Sequence, residues 1–519
     1  MKKILLVLVA FLATVSVSAQ NEGWQKSFAP VANADDLAGV HTAVAGDGSV
    51  YASSTYNQAF QFAGKNLTDP DGILSSCVLK YDKDGNEKWS VSLVGSCTIH
   101  AMTADTDGTL YIAGTATDDA KVVLTGTDGI SKEIEIPYAY NMLYEMDIIS
   151  CYPGFVAKIS KDGVIENLLV LTSTTNEEVA MDFDNMYLAM DIISVRPNKI
   201  ALAGNRVYVA ARYMGDVAQL GWKGAYVKYM EAMATTDAYS YGVFGMLKSD
   251  FSALGSYANV QQTGSIAETM SEPEAIDFVV YNEIPHVAFF GYGNLTLATN
   301  DNSKDFTFQK DDNGLEHALV LANTRELSKN VVFHAATHDN ANLDNYRLVG
   351  AALAGDNCIL GGTFYGNFPL DNKVTKDKKT SFVASIKMSD CSVNWAKAND
   401  EESQATCMIV TGEEIHASTD KATYVFKTAN GELKSEQTMN QSFNDADCYN
   451  DQYVSTIYTN GTNVVVFSPK MNPSGIEAIK AAAKTGAAKI YNVNGVELSA
   501  PQKGLNIIKT AEGTKKMMK

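Results

Sequence analysis

His41 and His100 stand at matching places in two similar phrases, HTAVAGDGSVYASS at 41–54 and HAMTADTDGTLYIAGT at 100–115. An imidazole can donate, accept or carry charge near neutral pH, so a ring of such positions could hold a polar ligand. Glu274, Arg347 and Gln404 fall at comparable places further along the chain. The competing reading is structural: histidines carried through a repeat, hydrogen-bonded across neighbouring units.

Other constellations are weaker. FHAATHDN places His334 and His338 at i, i+4 with Asp339 next to them. That spacing can bind zinc on a helix, but here it leaves a strand, with no HExxH glutamate and no third ligand marked. DKDG at 82–85 and DTDG at 105–108 resemble pieces of calcium loops. They lack the remaining ligands, and tight turns explain them. No nucleophile elbow, P-loop or dinucleotide fingerprint occurs in a fitting context. Carboxylates are plentiful, so a glycosidase-type acid pair stays open without any one acid standing out. No cofactor, metal or catalytic residue is therefore expected.

The cysteines at 77, 97, 151, 358, 391, 407 and 448 show no CxxC or zinc spacing. Their number is odd, and a chain of this size does not need disulfides to build a core. Buried thiols on strands are the expectation. A Cys391–Cys407 or Cys77–Cys97 bridge is the alternative.

The elements that must position these residues are read from self-similarity. Besides 41–54 and 100–115, the segments 199–212, 278–291, 350–363, 407–419 and 454–468 each hold two short β-rich runs around a tight Gly, Asn or Asp turn. These are hairpin signatures. A second hairpin follows six of them, at 77–93, 155–171, 243–260, 318–335, 382–398 and 424–439. One unit is thus four strands, a to d, and six or seven such units in a row predict an all-β propeller.

The phrases DGTLYIAGT, FVAKISKDG and DGNEKWSVSL resemble the bacterial seven-bladed β-propeller repeat, a relative of quinoprotein-type propellers. The resemblance implies a fold and no activity, because propellers host many. Trp24, Trp89 and Trp395 sit at matching d-strand positions and are expected to be structural. GWQKSF at 23–28 looks like an orphan d strand that completes the last blade and ties the ring shut. On this reading 454–468 is the a–b pair of that blade, and its c strand is missing.

Residues 1–19 carry two lysines, an apolar run and Val17-Ser18-Ala19, the pattern of a secretory signal peptide. The run is too short to span a bilayer, and no cysteine near the cut favours a lipoprotein. The propeller is placed at 20–470, a linker at 471–488 and a small β tail at 489–519. That tail, with IYNVNG, KGLNII and GTKKMMK, resembles the C-terminal sorting tail of Bacteroidetes exported proteins. The resemblance implies export machinery as a partner and a place at the outer-membrane surface or in the medium, with the periplasm as the alternative. Formal charge is −19; without Lys2, Lys3 and the tail's six lysines and two glutamates, the body is near −25. Such a body argues against nucleic acid and anionic lipid.

The a–b and c–d turns are short, whereas the b–c and d–a connections 116–154, 172–198, 213–241, 261–276, 292–317 and 364–381 are long. In a propeller they share one face. NMLYEMDIIS at 141–150 and NMYLAMDIIS at 185–194 fall on that face in different phases of the repeat, which predicts two similar segments meeting in a raised cluster. Tyr138, Tyr140, Tyr144, Tyr152, Tyr187, Tyr213, Trp222, Tyr226 and Tyr229 belong to it. They offer contact area for a glycan or protein, or a satellite core under the loops. Tyr144, Tyr187, Trp222 and Tyr229, with His41, His100, Glu274 and Arg347, are the candidate ligand-binding set. The expected function is an exported, non-enzymatic binding propeller. The alternatives are a glycoside hydrolase or polysaccharide lyase with acids at the channel mouth, and a structural adhesion component.

Overall fold

The computed structural model describes residues 23–469 apart from loop segments, of which 175–194, 231–239, 264–276 and 336–345 are the longest, and the strands of the tail between 489 and 518. Six blades are each continuous in sequence, and the first illustrates all of them: His41–Val44, Val50–Tyr56, Ser75–Tyr81 and Glu87–Val94, antiparallel from inside to outside. The inner strands of the next five are Cys97–Ala104, Val195–Ala203, Asp277–Tyr281, Arg347–Ala354 and Ala405–Thr411. A further four-stranded sheet closes the ring from both ends of the chain. Its order is Asp445–Tyr449, Tyr453–Asn460, Asn463–Ser468 and, outermost, Trp24–Phe28. The inner strands pack side by side in chain order, and Asp445–Tyr449 packs against His41–Val44.

The closure by the N-terminal strand is as expected, but the phase of the last unit is not. The hairpin 453–468 supplies the two middle strands, and the missing strand is the inner one, DADCY. Acidic residues alternating with small ones hide a strand whose outward pressure to be apolar is low, because it faces the water of a channel.

Middle strands such as Val50–Tyr56, Ser75–Tyr81 and Leu110–Ala116 are buried along their whole length. Blades cover both of their faces, so these strands need apolar or small residues at every position rather than in alternation. The core is accordingly a set of blade-to-blade seams. One joins Tyr51, Val78 and Trp89 to Ile112, Phe155 and Ile159; another, at the closure, joins Val50, Ala52 and Leu79 to Ile457, Val464 and Val466.

A tryptophan staple recurs on the short-turn face. The indole N–H of Trp24 donates to the Lys83 carbonyl at 3.1 Å, that of Trp89 to Lys161 at 2.9 Å, and that of Trp395 to Thr428 at 3.0 Å. Each acceptor lies in the c–d turn of the next blade. The glycine of that turn, Gly85, Gly163 or Gly431, has φ of +80°, +86° or +66° and lies under the indole. Only glycine both adopts the left-handed turn and leaves room for the ring. The structural role expected for these three tryptophans is what the geometry shows.

The long b–c connections do not build a raised cluster throughout. Lys121–Thr125 and Ser131–Glu135, inserted in the second blade, form a hairpin on the outer edge of the first, with Val123 opposite Val94. Asp216–Leu220 and Tyr226–Met230, from the third blade, extend the second, and Asn294–Ala298 and Ser303–Thr307, from the fourth, extend the third. The physical reason is the unpaired N–H and C=O row on each outer strand, which a following hairpin satisfies. Val122, Leu124 and Ile134 are buried by this docking. Of the repeated phrase, the first copy contributes to a small hairpin, Ala139–Asn141 with Met146–Ile148. The second copy lies outside the described residues.

The tail forms its own four-stranded sheet, in the order Glu497–Leu498, Lys489–Asn492, Leu505–Thr510 and Gly513–Met518. No helix among the described residues is long and apolar enough to cross a membrane.

Candidate ligand site in the central channel

One irregularity repeats around the ring. In four inner strands the pairing to the second strand skips a residue near the strand's start: His100, Asn198, Val349 and Thr406 are the extra residues. A bulge leaves such a residue unpaired in the ladder and re-aims its side chain. All four line the central channel. The second strand makes room opposite two of the bulges: a Cβ on Gly114 would run into the Thr98 carbonyl, and one on Gly362 into the Arg347 carbonyl. The sequence signal is therefore the small pair in LYIAGT and ILGGT.

The channel has a volume of about 740 Å³, and its polar wall includes His41, His100, Asn198, Lys199, Asp277, Arg347, Thr406, Asp445 and Asp447. Several of these residues stitch one inner strand to the next. Asp445 Oδ2 lies 3.3 Å from His41 Nδ1 and accepts the Thr42 N–H at 3.1 Å. Asp447 Oδ2 accepts the Val44 N–H at 2.8 Å. Lys199 forms an ion pair with Asp277 and donates to the Ala351 carbonyl at 3.0 Å, so one ammonium joins three blades. Cys448 Sγ donates to the Val410 carbonyl at 3.1 Å.

His100 Nε2 is 3.1 Å from Thr115 Oγ1 in its own blade. Burial, and then the positive charges of Arg196, His41 and Arg212, pushes its pKa down to about 3. It is thus a neutral imidazole at any ordinary pH. Asp447 is pushed up to about 7 by burial, with the Val44 N–H working against the shift and Asp445 adding to it. Both side chains keep some exposure. A channel-wall group is surrounded by protein yet touches the water inside, so partial exposure and strong desolvation coexist there.

Of the sequence-derived set, the channel brings together His41, His100 and Arg347. His41 bonds across blades, as the repeat reading expects, whereas His100 bonds within its own. Tyr144, Tyr187, Trp222 and Glu274 lie outside the described residues, and Tyr229 is placed only as part of the strand Tyr226–Met230. Tyr213 is a core residue of the seam between the second and third blades, not a surface contact. Gln404 is not on the channel wall; its N–H bonds the Asp420 carboxylate at 2.8 Å. Lys199, Asp277, Asp445 and Asp447 escaped sequence reasoning. The usable signal was their register, the same early inner-strand positions as His41 and His100.

Neither proposed disulfide exists: Cys77, Cys97, Cys391 and Cys407 are all free and buried. Asp82 and Asp107 cap their own turns, Asp82 through the Asp84 and Asn86 N–H groups and Asp107 through Thr109. Among the described residues no group of His, Cys, Asp and Glu could hold a metal ion.

No protein-family profile matches the chain, and no curated protein matches it. Solved structures do. BamB from Moraxella catarrhalis aligns at 10% identity over 80% of this chain and 94% of its own, with a TM-score of 0.37. The Cps50 (Swd1) β-propeller domain of Myceliophteria thermophila aligns at 8% identity over 85% of this chain and 99% of its own, with a TM-score of 0.38. The chain is an all-β protein of the propeller fold, closed by pairing its two ends.

Proposed function

We propose that this chain is an exported, non-enzymatic propeller that binds a glycan or protein ligand at the mouth of its channel. The observation that carries this is the recurrent inner-strand bulge, which sends side chains from four blades into one polar space. A rigid ring with converging donors and acceptors is a suitable frame for a ligand. The described b–c insertions are committed to sheet edges, which moves the site from the loops inward. The leader at 1–19 and the tail at 489–519 support export, with the outer-membrane surface or medium as destination and export machinery as a partner.

The raised carboxyl of Asp447, two residues from Asp445 on the same channel wall, favours a second reading, a hydrolase or lyase. A carboxyl that keeps its proton near neutral pH can serve as a general acid. The test is affinity electrophoresis of the mature protein through gels of varied polysaccharides, with reducing ends or unsaturated products assayed in the same samples. Retardation without new ends supports the binding propeller. New ends, abolished by Asp447→Asn, support the enzyme. No retardation in any gel points to a protein ligand or a structural adhesion role.

A further inference from the structure

The seams between blades are not alike. Clusters of buried apolar residues join the first blade to the second and each later blade to its successor as far as the sixth, and a further cluster joins the closing blade to the first. Among the described residues no such cluster joins the sixth blade to the closing one.

Pairing within the blades shows what meets there instead. In the sixth blade Met408, Ile415, Tyr424 and Phe426 pack toward the fifth. Its opposite face carries Ile409, His416, Val425 and Ser435, partners of one another across the four strands. Glu414, on the same face, is held by Lys434 and lies 3.4 Å from His416, so these charges are satisfied inside the sixth blade. In the closing blade Ile457, Val464 and Val466 pack toward the first, which leaves Val454, Thr456, Tyr458, Val465 and Phe467 toward the sixth. The outer strand of the sixth blade shows the result. Leu433 to Gln437 are all exposed, whereas the matching strand Glu87–Val94 of the first blade buries Trp89, Ser90, Val91 and Leu93.

The reason lies in where the propeller chain begins and ends. Other seams are bonded at a c–d turn. Besides the tryptophan staples, Asn167 Nδ2 donates to the Ser249 carbonyl at 3.0 Å, and Cys391 Sγ to the Lys329 carbonyl at 3.6 Å. The closing blade has no c–d turn, because Asn463–Ser468 and Trp24–Phe28 are the two ends of the ring. A staple on the sixth blade would have nothing to grip. Ser435, opposite Val425, stands where Trp395, opposite Ser385, stands one blade earlier. Toward the first blade, by contrast, the closing blade is tied by the Trp24 staple, by Thr42 Oγ1 donating to Ser455 Oγ at 2.8 Å, and by the Asp445 and Asp447 bonds.

We infer that the ring has one soft joint, between the sixth and closing blades. The two blades splay there about their inner strands, where Cys448 Sγ reaches the Val410 carbonyl at 3.1 Å, while the paired chain ends stay shut. A seam that buries little apolar surface opens at lower free energy than its neighbours. Both blades wall the channel, through Cys407 to Val410 and Asp445 to Cys448, so this joint governs the channel's width.

The test uses spin-label distances in the mature protein. One nitroxide pair, Gln437→Cys with Gln25→Cys, spans the outer strands of the sixth and closing blades; the other, Gln25→Cys with Lys88→Cys, spans the closing and first blades. Cys151→Ser and Cys448→Ser accompany both pairs. Distances are measured without urea and in urea below the unfolding transition, with hydrogen exchange of Trp24–Phe28 followed in parallel. The first pair should gain a longer component while the second stays single and the amides of Trp24–Phe28 stay protected. His416→Leu, which puts an apolar group on the open face, should shrink the longer component. Broadening of the second pair first, or early exchange of Trp24–Phe28, overturns the inference by placing the weak point at the chain ends. Two narrow distributions up to global unfolding overturn it as well, and so does a longer component that folded His416→Leu protein keeps in full. Should His416→Leu not fold, the two pairs in the parent decide the matter by themselves.

Discussion

Asp447 Oδ2 and the backbone nitrogen of Val44 are 2.8 Å apart, a bond across the seam where the two ends of the propeller meet. Two residues earlier, Asp445 does the same for Thr42. Inner strands of different blades are not paired by a backbone ladder, so side-chain carboxylates at alternate positions take the ladder's place.

That arrangement makes closure depend on pH. The Asp447 carboxyl is raised to about 7, so the folded state holds its proton where the unfolded chain has lost it. Its stabilising contribution is complete below the unfolded pKa and disappears as pH rises to about 7. Asp447→Asn keeps an acceptor for Val44 and cannot titrate. The variant should gain stability relative to the parent between pH 4 and pH 8, on the order of 1 kcal/mol once channel water is allowed for. Melting temperatures of both proteins across that range are the measurement. A constant offset between them would refute the linkage.

The tryptophan staple can be isolated with a pair of glycines. Gly129 and Gly431 share a positive φ, but a Cβ on Gly129 meets nothing within 4 Å, whereas one on Gly431 meets the Trp395 indole at 2.5 Å. Gly129→Ala should cost roughly 1 kcal/mol from backbone strain alone. Gly431→Ala should cost about 1–3 kcal/mol more through the displaced indole. Urea denaturation of the two variants checks this, and adding Trp395→Ala should shrink the difference.

The thiols should be inert in the native protein. Burial raises Cys77, Cys97 and Cys407 to about 12. Iodoacetamide at pH 8, followed by peptide mass spectrometry, should leave these residues unlabelled until urea unfolds the chain. Native labelling at any of them would mean that its seam opens.

Removing the edge hairpin 121–135 and joining its ends with a short polar loop should leave the ring intact and uncover the end of the strand Glu87–Val94, where Ser92, Leu93 and Val94 pair with the hairpin. An edge left without a partner along the whole strand is a template for intermolecular pairing. Concentration-dependent self-association in sedimentation velocity is expected. A variant that stays monomeric would assign the hairpin another role.

The sequence by itself determined the local units. Six a–b and six c–d hairpins and their turn glycines follow from contacts close in the chain, where turn chemistry and β-rich runs suffice, and the matching tryptophans were legible from repeat register. That His41, His100 and Arg347 share one channel wall was legible because repeat register carries them to equivalent places. Only the tertiary structure decided which strand the acidic segment 445–449 becomes, and that the long b–c insertions dock on neighbouring blades. It alone paired Lys199 with Asp277 and Asp445 with His41, and turned the repeated bulges into the wall of one channel. The pair Asp445–His41 depends on closing a ring between residues about 400 positions apart, and the entropy of that closure is met by the sum of the blade seams rather than by any local signal.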